Sequence, residues 1–186
     1  MRSKLILLFL LPIFLFAQTP AESQQQKVLQ ERLEKNAEFA KPEDSPLEKD
    51  DIPGFIALKY YPYNPEFCVT AILKVNPEPR VFKMKTTTER RPEYRTYGEL
   101  QFRLKGKDYT LQVYQRVEPI AKAGYDKYLF LPFTDETSGR ETYGGGRFLD
   151  VFIPEEGDTL TLDFNGCYNP YCAYNHKYSC PIPPAE

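Results

Sequence analysis

The stretch YGELQFRLKGKDYTLQVYQR, residues 97–116, decides how the chain is read. Apolar and polar residues alternate on both sides of Lys105-Gly106-Lys107. A period of two belongs to a half-buried strand, and a short glycine-bearing break between two such runs marks a hairpin. The pattern therefore predicts an antiparallel pair, with Leu104 and Asp108 flanking a tight turn.

The same period extends in both directions. In FCVTAILKV (67–75), Phe67, Val69, Ala71, Leu73 and Val75 share one face, while Cys68 lies on the face of Thr70 and Lys74. RVFKMKT (80–86) follows the turn-forming NPEP. KYLFLPF (127–133), RFLDVFI (147–153) and TLTLDF (159–164) read as further strands, with the turn PEEGD between the last two. About seven strands joined by short turns predict a mainly β fold, an antiparallel sandwich or partial barrel with one N-terminal helix. A composition of 14 Tyr, 13 Phe and 17 Pro without Trp agrees, since it favours strands and turns. The helix is predicted over residues 23–40, where Leu29, Leu33, Ala37 and Ala40 form one narrow stripe. Pro42 ends it and opens a loop with three prolines. The helix is expected to lie on the domain as a lid or arm.

The chain begins with an export pattern. Arg2 and Lys4 precede an apolar run over residues 5–16, broken only by Pro12 and followed by the small Ala17. The run is shorter than the ~20 residues that span a bilayer comfortably. The organisation predicted is a signal peptide over 1–17, the helix and Pro-rich loop over 18–54, and a β domain with a Cys-rich tail over 55–186. A retained membrane anchor is the alternative. Export places the mature protein in a periplasmic or extracellular setting, free of the membrane. Losing Arg2 and Lys4 takes the formal charge from −2 to −4. That mild acidity gives no footprint for nucleic acid or an anionic membrane.

Two segments could carry chemistry. The first is FTDETSGRETYGGGRFLDVF, residues 133–152. Its three glycines lead into a strand rather than a helix N-terminus, so they mark a bulge or close backbone approach and not a phosphate loop. Arg140 and Arg147 could hold a ligand carboxylate in a planar fork, or pair internally with Asp135, Glu141 or Asp163. Asp135, Glu136, Glu141, Asp150 and Asp163 supply carboxylates for acid–base work, although their spacing in sequence fixes no separation. The second segment, FNGCYNPYCAYNHKYSCPIPP (164–184), holds three of the four cysteines and the only histidine. Cys167, Cys172, His176 and Cys180 are the right types for tetrahedral zinc, without a C-x-x-C spacing. Oxidising surroundings favour disulfides instead, and Cys172 with Cys180 is the pairing expected; free thiols remain a third state. A single histidine excludes a multi-histidine metal centre, and any histidine-dependent nucleophile must use His176. Asp163, Asn165, Asn169 and Asn175 could build turns, or line a polar pocket with Tyr143 and Arg147.

These segments closely resemble the signature of the domain-of-unknown-function 1684 family. Its pattern falls on Phe133, Asp135, Thr137 and Gly139, then on Thr142, Tyr143, Gly146 and Arg147. It continues on Asp163, Phe164, Asn165, Tyr168, Asn169, Pro170, Cys172, Ala173 and Tyr174, and ends on Cys180, Pro181, Pro183 and Pro184. Residues 35–47 are similar to the family's start. Gly166 and Cys167 depart from it, standing where the family more often has Arg and a small residue. The family pattern also runs on past the C-P-x-P-P segment, where a final edge strand is expected. The resemblance implies no activity.

The expectation is an exported, non-catalytic envelope protein binding a small polar or anionic ligand. Tyr143, Arg147, Asp163, Asn165, Asn169, Arg140 and His176 are the candidate ligand-binding residues, and no cofactor is expected. A hydrolase using an acidic residue or His176 is the alternative.

Overall fold

The computed structural model describes residues 19–118, 120–121 and 124–185. The expected signal peptide, 1–17, lies outside them. One helix, α1 (Pro20–Ala40), precedes seven strands: β1 (Cys68–Val75), β2 (Val81–Lys83), β3 (Glu93–Leu104), β4 (Lys107–Arg116), β5 (Tyr128–Phe133), β6 (Arg147–Phe152) and β7 (Thr159–Asp163). The strands form one antiparallel sheet in the order β6-β5-β4-β3-β1-β7, with β2 paired to β3. The predicted hairpin is its centre. Leu104 pairs with Lys107, leaving Lys105 and Gly106 as a two-residue turn with φ of 48° and 79°. Positive φ at both positions matches the right-handed twist of the flanking strands.

The sheet curls into a half-barrel. Leu149 and Val151 come from β6 and Leu162 from β7, the two ends of the strand order, yet they share one buried cluster with Ala71, Leu100, Val113, Leu129 and Leu131. A three-residue 3-10 turn, Phe164–Gly166, carries the chain across the remaining gap. Tyr168 then bridges Phe148 on β6 through reciprocal backbone hydrogen bonds of 2.9 and 3.0 Å. The chain thus links the two ends of its own sheet. Sharp curvature needs close backbone approach, and Gly98 marks where it occurs, beside the register shift between β3 and β4. A Cβ at Gly98 would lie 2.3 Å from the Lys74 carbonyl oxygen on β1.

The outer face carries a second cluster, made of Met84, Tyr94, Tyr114, Phe130, Phe148, Cys172 and Cys180. The C-terminal tail covers it. Thr87 N donates to Cys180 O and Ile182 N to Lys85 O, both at 2.9 Å, and these bonds dock the tail beyond β2. Both faces of β5 are therefore buried.

Two details differ from expectation. The helix starts at Pro20, because Thr19 and Glu22 form a reciprocal capping box with proline at the first turn. Its buried residues are Val28 and Phe39, about three turns apart; Leu29, Leu33, Ala37 and Ala40 all face solvent. The helix rests mainly on loops, and aromatic contacts of Phe39 with Phe55, Tyr171 and Tyr174 select the buried side. On β1, Ala71 and Leu73 are buried as predicted, but Val75 is 58 % exposed and Phe67 belongs to a 3-10 turn before the strand. Among the described residues no helix is long and apolar enough to cross a membrane.

Candidate functional site

Antiparallel pairing brings four strand ends to one rim of the half-barrel. Phe133 ends β5 opposite Arg147, the first residue of β6, and Cys68 begins β1 opposite Asp163, the last residue of β7. Phe133 and Phe164 meet edge to face with centroids 5.7 Å apart, which draws the two edges together. Arg147, Asp135, Thr137, Tyr61 and Asp163 lie along an extended open trough that runs from α1 past this rim to the C-terminal tail.

Arg147 lies over the Phe133 ring, 5.3 Å from its centroid, and its side chain is 14 % exposed. It donates from Nη2 to Asp135 Oδ2 at 2.5 Å. Its Nε is buried and has no partner among the described residues. Asp135 is held from the other side, since Oδ1 accepts from the Thr137 amide at 2.9 Å and from the Thr137 hydroxyl at 2.5 Å. Burial pushes the Asp135 carboxyl up, but the Thr137 donors and the Arg147 guanidinium outweigh it and hold the group below its ordinary value. Tyr61 donates to Glu141 Oε2 at 2.9 Å across the same loop. Of the glycines before β6, Gly146 has φ of 89°, and a Cβ there would fall 2.7 Å from the Phe133 carbonyl oxygen. This is the close backbone approach that the sequence implied.

Asp163 and Asn165 form a different structure. Asp163 Oδ1 accepts from the Asn165 amide at 3.0 Å and from Asn165 Nδ2 at 2.7 Å; its Oδ2 accepts from Gln24 of α1 at 3.0 Å. Asn165 also exchanges hydrogen bonds of 2.9 Å with both the N–H and the C=O of Asn64. Its own carbonyl accepts from Arg32 Nη2 of α1 at 2.8 Å. Both residues are buried, and their polar atoms tie α1, the turn Pro65–Phe67 and β7 into one clamp.

The remaining candidates lie elsewhere. Tyr143 packs into the outer cluster, and its amide donates to Asn169 Oδ1 at 3.3 Å. Arg140 and His176 are exposed, on the 134–146 loop and on the tail. Asn175 is buried, donating to Leu47 O at 3.2 Å. Asp150 accepts from the hydroxyls of Tyr128 at 3.0 Å and Tyr168 at 2.6 Å, on the outer face. The rim thus gathers Arg147, Asp135, Asp163 and Asn165, while Tyr143 and Asn169 belong to the tail.

The cysteine expectations need correction. All four cysteines are free thiols, so the expected Cys172–Cys180 bridge is not formed here. The four-ligand zinc arrangement fails because its members sit on opposite sides of the sheet. Cys167 is in the inner cluster, Cys172 and Cys180 are in the outer one, and His176 is in solvent. Among the described residues no three His, Cys, Asp or Glu side chains group as metal ligands. Burial pushes the Cys167 thiol up to about 12, with Asp135 and Asp163 adding to the shift and Arg147 opposing it. Cys167 is therefore no nucleophile at neutral pH.

Sequence reasoning missed Gln24 and Arg32, in the predicted helix, and Tyr61 and Asn64, near the start of the predicted β domain. A signal was present: Tyr-Asn-Pro occurs at residues 63–65 and again at 168–170. Each copy leads into a short 3-10 turn, the first with its own Pro65, and each asparagine supports a contact between distant segments.

Comparison with known proteins bears on family and fold. A family model described as "Protein of unknown function (DUF1684)" matches residues 53–186. The chain is similar to the solution NMR structure of an uncharacterized protein of Haloarcula marismortui, at 30% sequence identity and a TM-score of 0.67, over 88% of each chain. No curated protein matches.

Proposed function

The chain belongs to the DUF1684 family, whose description assigns no activity, and we propose that it is an exported, non-catalytic protein that seats a small carboxylate ligand at the rim of its half-barrel. The observation that carries this reading is Arg147. Its guanidinium is nearly buried beside an open trough, and one of its five N–H donors is spent on Asp135. A planar donor fork over an aromatic ring, out of bulk water, suits a carboxylate far better than a lysine ammonium does. Phe133 and Tyr61 supply apolar wall beside it. Export rests on the basic start and short apolar run of residues 2–17.

Binding is favoured over hydrolysis by where the acid–base groups lie. His176 is exposed on the tail. Asp135, Asp150 and Asp163 each accept hydrogen bonds from internal donors. Calorimetric titration of the mature protein with succinate, and with phosphate as a second probe, tests the proposal. Saturable succinate binding that is lost in Arg147→Lys, with the fold unchanged, is expected. No heat from either probe, or equal binding by wild type and variant, contradicts it.

A further inference from the structure

We infer that Cys172 and Cys180 are a dithiol built to close into a disulfide that staples the C-terminal tail over the outer face of the sheet. The two cysteines are buried in one cluster, at 5 % and 7 % exposure. The Cys172 amide donates to Cys180 Sγ at 3.2 Å. This contact sets the Cys180 sulfur against the backbone of Cys172, with both thiols reduced. The other two thiols are unsuited to compete. Cys167 lies on the inner face, and Cys68 begins β1 at the rim beside Asp163.

The surroundings hold Cys180 in place for this step. Its amide donates to Thr87 Oγ1 at 3.1 Å and its carbonyl accepts from the Thr87 amide at 2.9 Å. Pro181 continues this docking as a bridge to Thr86. Cys172 sits in the 3-10 turn Tyr171–Ala173, with its thiol against the Tyr143 hydroxyl at 3.8 Å. A bond between the two sulfurs therefore closes a loop whose ends are already fixed, and locks residues 172–180 over Met84, Tyr114 and Phe130.

The step is thiol–disulfide exchange with an external disulfide such as oxidised glutathione. The Cys172–Cys180 S–S bond forms and the reagent's S–S bond breaks. Both thiol protons and two electrons pass to the reagent, which leaves as two thiols. Burial pushes the Cys180 thiol up to about 12, so little thiolate is present while the tail is docked. Closure is accordingly fast during folding, before the tail packs, and slow afterwards.

Refolding the full mature chain with oxidised glutathione, then alkylating and digesting it without reductant, gives the test. The expected product joins the peptides of Cys172 and Cys180 and leaves Cys68 and Cys167 alkylated. It should form at least ~10-fold faster during refolding than in native protein. Reducing the bridged protein should lower Tm by about 5 °C, an effect absent in Cys172→Ser. Separate alkylation of Cys172 and Cys180 after refolding, or pairing of either with Cys68 or Cys167, overturns the inference. So does a bridge whose reduction leaves Tm unchanged.

Discussion

The two faces of the half-barrel are buried by different means. The inner face is filled mainly by strand residues, with Leu100, Leu129, Leu131 and Val113 fully buried by the curl of the sheet. The outer face is aromatic, and is covered by a tail that folds back from the end of the chain. Polar residues divide along the same line. Arg147 and Asp135 sit where the inner face opens to solvent, whereas Tyr143 and Asn169 fasten the tail. Residues close together in a sequence signature thus serve separate purposes, because Tyr143 lies in the loop before β6 and meets the tail, whereas Arg147 opens the strand at the rim.

The strongest way to break this comparison is to truncate one residue on each face. Leu131→Ala and Phe130→Ala, neighbours on β5, should each cost about 3 kcal/mol or more in urea unfolding. A loss below about 1 kcal/mol for Phe130→Ala would mean that the tail is a loose cover, not part of a core. The clamp comes next. Asn165→Ala strands the Asn64 amide and carbonyl and should cost about 1–3 kcal/mol, seen as a lower urea midpoint at unchanged slope. Arg147→Lys should change stability by less than about 1 kcal/mol, since Asp135 is partly exposed and keeps its Thr137 donors.

Acidity gives the smallest effects. Asp135 is held below its ordinary value of 3.8 in the fold. The stability it contributes is present above that value and lost as pH falls through the lower folded one, so Asp135→Asn should flatten the acid limb of a stability–pH profile. Glu31 behaves oppositely. Burial raises it above 4.5, Asp150, Asp163 and Glu34 add to the rise, and Lys27 opposes it. Its contribution is present below 4.5 and lost as pH rises through the folded value. Glu31→Gln should therefore stabilise the protein at pH 7 by a few tenths of a kcal/mol after solvent screening, and not at pH 4.

Much of the fold was legible because alternation is a local signal. All seven strands and the Lys105-Gly106 turn follow from period two and turn chemistry. The curl did not follow, since it depends on Gly98 approaching Lys74 and on Tyr168 reaching Phe148. The buried side of α1 was missed for a related reason. Leu29 and Leu33 make the better stripe, but Phe39 meets three aromatic rings from distant segments. At the rim, the sequence named Arg147 and Asp135 as possible partners but could not show that Asp163 would be claimed by Asn165 and Gln24. Spacing along a chain carries no information on which acceptor a donor reaches in space.

The most direct test of the account is the 15N–1H signal of Arg147 Nε, followed in the mature protein as succinate is added. A ligand at the rim must change the surroundings of this N–H, which is buried and has no partner among the described residues. The account predicts a saturable shift of that signal and of the Thr137 amide beside it, with the Asn64 and Asn165 amides of the clamp unmoved. An Arg147 signal that stays fixed, or shifts that appear only at the clamp, would contradict it.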